Sequence, residues 1–213
     1  MSKIKHDDHE STKALLISES TRLFAQKGYE GTTIKDISDA TGLNVSLVSY
    51  HFGGKDGLFY ACMEQFGMER LAVVEKILVL PRSKEEFEIR LQMFLDELID
   101  VHVAQPDLVA LLHREFENQH PRSMEIFKNT FLKSYQLLLD FFSAAQKSKI
   151  IRNDINAHMV AALMFGSVKL LLMHNNLRKS MPGMNLDDFS SKKKIRETFM
   201  KLYLDGLYIK NKR

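Results

Sequence analysis

The 213 residues are 45% hydrophobic and 27% charged, a balance typical of a globular chain and inconsistent with a disordered or membrane-spanning class. Thirty Lys/Arg against 27 Asp/Glu leave a net charge of +3, too mild for bulk electrostatics to indicate a polyanionic partner. A single cysteine, Cys62, excludes an intramolecular disulfide and a multi-cysteine zinc site. No apolar run reaches the roughly 18 residues of a membrane span, and the charged start with Lys3, Lys5, Asp7, Asp8 and Glu10 is no signal core, so a cytoplasmic protein is expected.

Apolar residues recur at three- and four-residue spacing without sustained alternation, which predicts an all-α fold. The first ten or so residues read as a mobile tail, including the metal-like His6-Asp7-Asp8-His9 run. A first helix is expected from about Ser11 to Lys27, with Leu16, Leu23 and Phe24 on one stripe, small Ser20 between them and Gly28 as its stop. Thr33 followed by Asp36 predicts a capping box for a short helix that turns Ile34, Ile37 and Ala40 inward before Gly42. Asn44 is the expected cap of the next helix, with Leu43 and Val48 placed as a staple, and Phe52, Gly53 and Gly54 close it. A longer helix follows from Lys55 to about Leu80, stopped by Pro81, and Ser83 with Glu86 signals another start. Pro106 and Pro121 mark breaks. Major helices are expected at about 122–147, 156–178 and 192–210, with a turn-rich stretch at 180–191.

Thr33 to Phe52 compresses two short capped helices and a glycine turn into about twenty residues, the footprint of a helix-turn-helix. The second helix of such a unit fits the roughly 12 Å major groove, and small or polar residues at its start can reach base edges. Val45, Ser46, Ser49 and Tyr50 meet that description, whereas Leu47 or Val48 and Phe52 are expected to hold the helix on its neighbours. Hydroxyls, amides and cations near helix starts suit phosphate oxygens, which makes Thr33, Lys35, Tyr50, His51 and Lys55 the phosphate candidates. Net charge lends no support: residues 1–55 carry seven Lys/Arg and seven Asp/Glu.

The segment LFAQKGYEGTTIKDISDATGLNVSLVSYHFGGKDGLF, residues 23–59, closely resembles the DNA-binding domain of the tetracycline-repressor (TetR) family. Phe24, Gly28 with Tyr29, the Thr32-Thr33 pair, Ile37, Gly42, the Tyr50-His51-Phe52 run, Lys55 and Leu58 carry the resemblance, which covers about fifty residues. It implies a homodimer in which residues 1–54 form the DNA-binding domain and residues 55–213 a helical ligand-binding and dimerisation domain. It further implies phosphate contacts from Thr33 and Lys55, a recognition helix from Asn44 to His51, and regulation of double-stranded operator DNA, as a repressor, by a small-molecule inducer. Two departures stand out. Ser49 occupies a position where a tyrosine is common, and Asn44-Val45 replaces a serine followed by a polar residue.

The same resemblance places an inducer pocket in the body, where Met and large aromatic walls suit an apolar or amphipathic molecule. The expected lining is Met63, Phe66, Phe94, His102, His113, Phe116, Phe131, Tyr135 and Phe165, with Glu115 a further polar candidate. No cofactor and no metal are expected: His113 and Glu117 share a helix face without evident further ligands, and Ala61 and Met63 suggest that Cys62 is plainly buried. The dimer stripes are Val160, Leu163, Met164, Ser167 and Leu171 on the penultimate helix and Phe199, Leu202, Tyr203 and Gly206 on the last. With no glycine-rich phosphate loop, nucleophile elbow or paired-histidine zinc helix, the sequence predicts no enzyme. The competing reading is a helical protein-interaction module without DNA binding.

Overall fold

The computed structural model describes residues 2–173 and 189–208, and side-chain surroundings for residues 9–168, 170 and 192–208. The described part is helical and holds no strand: α1 (Ser2–Gly31), α2 (Ile34–Thr41), α3 (Ser46–Phe52), α4 (Lys55–Ile77), α5 (Lys84–Ala104), α6 (Pro106–Glu117), α7 (Pro121–Asn129), α8 (Phe131–Lys147), α9 (Ala157–Met173) and α10 (Phe189–Leu207). Among the described residues, no helix is long and apolar enough to cross a membrane. The expected helix ends at Arg178 and Lys210, residues 180–188 of the stretch expected to be turn-rich and the side chain of Leu171 lie outside the described residues, while 189–191 of that stretch already belong to α10.

Two compact units emerge, one from residues 1–70 and 107–130, the other from 71–106 and 131–213. The first therefore extends past the boundary expected at residue 54. Leu58, Phe59, Cys62 and Met63 of α4 are buried, the Phe59 ring meets Phe24 edge-on at 5.0 Å, and the Cys62 thiol lies 3.5 Å from the Ile17 carbonyl oxygen. The α6–α7 pair joins the same unit where the Tyr60 hydroxyl lies 2.9 Å from His120 Nδ1. It is tied in again at Gly67, where a Cβ would stand 2.7 Å from the Thr130 hydroxyl.

Helix α1 departs from expectation at its start. It runs from Ser2, with no proline or glycine to interrupt it before Gly28, and the His9 ring packs against α3. Residues 2–10 are thus helix and not a loose tail. At the other end Gly28 does stop the regular helix, since its φ of 73° is left-handed and only a short further turn reaches Gly31. The buried Thr32 hydroxyl sits 2.8 Å from the Gly28 carbonyl oxygen freed there.

The helix expected over 122–147 is two helices. Thr130 breaks it: its backbone turns to φ −123°, its hydroxyl donates to the Ile126 carbonyl oxygen at 2.6 Å, and its side chain fills the space against Gly67. Both marked prolines begin helices, where the missing N–H costs nothing. Ser83 accepts from the Glu86 amide at 3.1 Å and caps α5 as expected.

The second unit has its core where Phe87 stacks on Phe141 at 5.0 Å, surrounded by Leu91, Phe94, Leu138, Phe142, Ala145, Ile151, Ala161 and Met164. A smaller cluster of Leu95, Ile99, Val168 and Phe199 ties α5, α9 and α10 together. Arg196 reinforces it by donating to both oxygens of Asp96 at 3.2 and 3.3 Å.

Candidate nucleic-acid interface

The geometry of the N-terminal unit follows from α1. Leu16, Ser20, Leu23 and Phe24 are buried along one face, and Ile37 of α2 and Val48 of α3 are buried as well. Ile34 is half-buried, but Ala40 is exposed, contrary to expectation: in a helix of only eight residues the inward face is centred on Ile37 and the last turn projects outward. Leu47 and Phe52 are half-buried.

Helix α2 starts with the expected capping box. Thr33 Oγ1 accepts from the Asp36 amide at 3.0 Å, and Asp36 Oδ2 accepts from the Thr33 amide at 2.8 Å. Lys27 donates to Asp36 Oδ1 at 2.7 Å, a contact between α1 and α2 that the sequence reading missed. These partners hold the Asp36 carboxyl far below the usual carboxylate range, Lys27 first and Thr33 second. Gly42, at φ 69°, ends α2 and turns the chain.

Asn44 then caps α3. Its side-chain oxygen accepts from the Ser46 amide at 2.9 Å while its carbonyl accepts from Leu47 at 3.0 Å, and Val45 already has helical dihedrals. The cap leaves Asn44, Val45, Ser46, Ser49 and Tyr50 exposed on one helix, Tyr50 by 72%. Thr33, the cap of α2, and Lys35 in its first turn are exposed. His51 is half-buried; its Nδ1 is shielded and has no hydrogen-bond partner, and burial, with His9 and Lys13 adding to it, pushes its pKa below the ordinary histidine value.

Lys55, at the start of α4, is half-buried with its ammonium 4.2 Å from the centre of the Tyr29 ring. The Tyr29 hydroxyl donates to Asp56, and burial together with that carboxylate raises the phenol pKa. Lys55 is thus held by an aromatic ring at the corner between α3 and α4. Every sequence-predicted DNA residue falls on α2, α3, the residues that cap them or this corner.

The expected pocket residues divide between the units. Met63 and Phe66 are buried in the first, where Phe116 meets Phe127 at 5.1 Å and His113 is half-buried. In the second, Phe165 meets Phe94 at 5.8 Å and Tyr135 at 5.5 Å, while Phe131 is half-buried and His102 Nδ1 lies 2.7 Å from the Leu98 carbonyl oxygen. Burial raises the Cys62 thiol to about 12, which removes the thiolate that a redox sensor needs.

Of the expected dimer residues, Met164 and Phe199 are buried within their own unit, packed in its two apolar clusters, although Phe199 keeps an edge on the groove described next. Leu163 and Leu202 are exposed, Ser167 and Tyr203 half-buried, and these four with Thr198 and Phe199 line an open groove of about 510 Å³. Val160 is half-buried and Gly206 exposed. Met159 and Leu170 are further exposed apolar residues of α9.

Comparison with known proteins points the same way as the helix-turn-helix geometry. The family model for bacterial regulatory proteins of the tetR family matches residues 16–62. The probable HTH-type transcriptional regulator YttP of Bacillus subtilis is 28% identical over 133 residues, 61% of this chain and 64% of YttP. Across this and two further curated regulators the aligned stretch spans 40% to 64% of the relative's own length. Among solved structures, a TetR transcription regulator from Haloarcula marismortui has a TM-score of 0.72 at 19% identity, covering 93% of this chain and 98% of that one. AibR, solved with isovaleryl coenzyme A and operator DNA, has a TM-score of 0.66 at 18% identity, covering 89% and 96%. The family match falls on α1 through the first part of α4, the elements that build the exposed face of α3, so that over residues 16–62 the chain is similar to the bacterial regulatory proteins of the tetR family.

Proposed function

We propose that this protein is a sequence-specific DNA-binding transcriptional regulator of the cytoplasm, a repressor released from a palindromic operator when a small apolar or amphipathic molecule binds its body. The observation that carries this reading is the division of labour on α3: Val48 is buried, while Asn44, Val45, Ser46, Ser49 and Tyr50 face outward from a helix of major-groove size. Val45, Ser46, Ser49 and Tyr50 read bases in this proposal; Thr33, Lys35, His51 and Lys55 position the helix on phosphates. AibR, solved with isovaleryl coenzyme A and operator DNA together, supports a fold that takes both a small molecule and DNA.

A homodimer supplies the two recognition helices that a palindrome demands, about 34 to 36 Å apart. Leu163 and Leu202 beside the groove of α9 and α10 are apolar residues that a second copy would cover. The inducer would favour a dimer whose helices no longer match successive grooves, and it must prefer that state to release DNA at all.

Selection of bound duplexes from a random library at two salt concentrations tests the reading. Recovery of one palindromic motif, with affinity falling steeply as salt rises, is expected. No enrichment at either salt would leave a helical protein-interaction module in its place.

A further inference from the structure

The seven-residue step that places Leu16 and Leu23 on the buried face of α1 continues backward to His9. There α1 overhangs the recognition helix. The His9 ring stands edge-on to His51 with centroids 4.3 Å apart at 71°, and edge-on to Tyr50 at 5.8 Å and 71°. Tyr50 and His51 are themselves edge-on at 4.9 Å, so the three rings brace one another. Edge-to-face contacts at these separations are attractive and fix ring orientation.

We propose that His9 is a positioning residue for DNA recognition, whose imidazole pre-orders the Tyr50 and His51 side chains on the reading face. The inference rests on the DNA-binding reading above. Tyr50 is the most exposed large apolar side chain among the described residues, and an exposed ring would otherwise lose its rotamer freedom on reaching the groove. A ring held in advance from a neighbouring helix removes that loss. His51, with Nδ1 turned away from water and no hydrogen bond to hold it, has ring packing as its orienting contact. Among the described residues, the charged groups about the cluster are Glu10 and Lys13 of the same helix, 3.9 Å apart.

The test compares wild type, H9A and H9F at about pH 8, above the ordinary histidine range. Affinity for the selected duplex should drop roughly three- to tenfold in H9A, the size expected of one lost aromatic contact. H9F, which keeps a ring and loses both nitrogens, should restore it. The melting temperature should hold in both variants, and binding to unrelated duplex, which shares only the His51 phosphate contact, should fall less in H9A than binding to the selected duplex, whereas a merely structural role would lower the melting temperature and both affinities together. In the DNA-free protein, NMR shifts of the Tyr50 and His51 ring protons should move in H9A and return in H9F. Unmoved ring shifts, wild-type affinity in H9A, or an H9F protein as weak as H9A would each overturn the inference. A wild type that selects no duplex while the ring shifts still respond would overturn the DNA reading and, with it, this role for His9.

Discussion

The backbone at Gly57 approaches Phe52 so closely that a Cβ on it would stand 1.7 Å from the Phe52 carbonyl oxygen. This contact sets the corner at which α3 ends and α4 begins, and the obstructing atom is backbone. G57A should therefore destabilise the N-terminal unit by at least about 2 kcal/mol, as overpacking does when the neighbour cannot yield. Chemical denaturation of the full chain checks this. Unchanged stability would mean that the corner opens without cost.

The capping box gives a second expectation. T33A removes the acceptor for the Asp36 amide and should cost about 1 kcal/mol, the ordinary worth of an N-cap. Asp36 adds a pH dependence. Its folded pKa lies below the unfolded value of about 3.9, because Lys27 and Thr33 stabilise the carboxylate. Its contribution is thus fully present above that pH and is lost as pH falls through it toward the folded pKa. Acid titration of stability should show a step in wild type that D36N lacks, and equal acid profiles would refute the assignment.

Much of this architecture was legible in the sequence because it depends on local chemistry. Ser20 between Leu16 and Leu23 states a packing requirement, and Gly28, the Thr33–Asp36 spacing, Gly42 and Asn44 each state a backbone requirement, that the structure meets. What could not be read depends on residues far apart in the chain. Thr130 breaks a helix because Gly67 admits it, and Met164 and Phe199 turn inward because Leu138, Leu95 and their neighbours receive them. His9 had a local signal, the seven-residue step back from Leu16, but its polar neighbours suggested a tail.

His51 supplies a pH dependence of its own. Burial first, then His9 and Lys13, lower its folded pKa below the unfolded value of about 6.5. The unfolded chain then binds a proton that the folded chain refuses, so this part of the stability is present above about pH 6.5 and lost as pH falls below it. Thermal melts between about pH 8 and pH 5 should show a shallower decline in H51N than in wild type. Parallel profiles would show that His51 does not carry the effect.

Lys55 and Ser46 should separate positioning from reading. With its ammonium held over the Tyr29 ring, Lys55 presents a fixed charge, and K55A should weaken binding to all duplexes and flatten the salt slope by about one unit. S46A should change the preferred base at one operator position and leave the slope alone. A uniform loss of affinity in both variants, with the same motif selected, would contradict the division drawn here.

The proposed dimer face makes the sharpest contrast between two kinds of apolar residue on the same helices. Leu163 and Leu202 are 64% and 69% exposed, so in an isolated subunit an aspartate at either position disturbs little packing and should change stability by under about 0.5 kcal/mol. In a dimer the same charge would be buried without a partner, and L163D/L202D should sediment as a folded monomer. Its affinity for a palindrome should collapse, because each half-site then binds alone. Phe199, 8% exposed beside them, should behave oppositely: F199A leaves a cavity in the subunit and should cost about 3 to 5 kcal/mol of stability before assembly is affected. A double aspartate variant that stays dimeric would place the partner surface elsewhere on the chain.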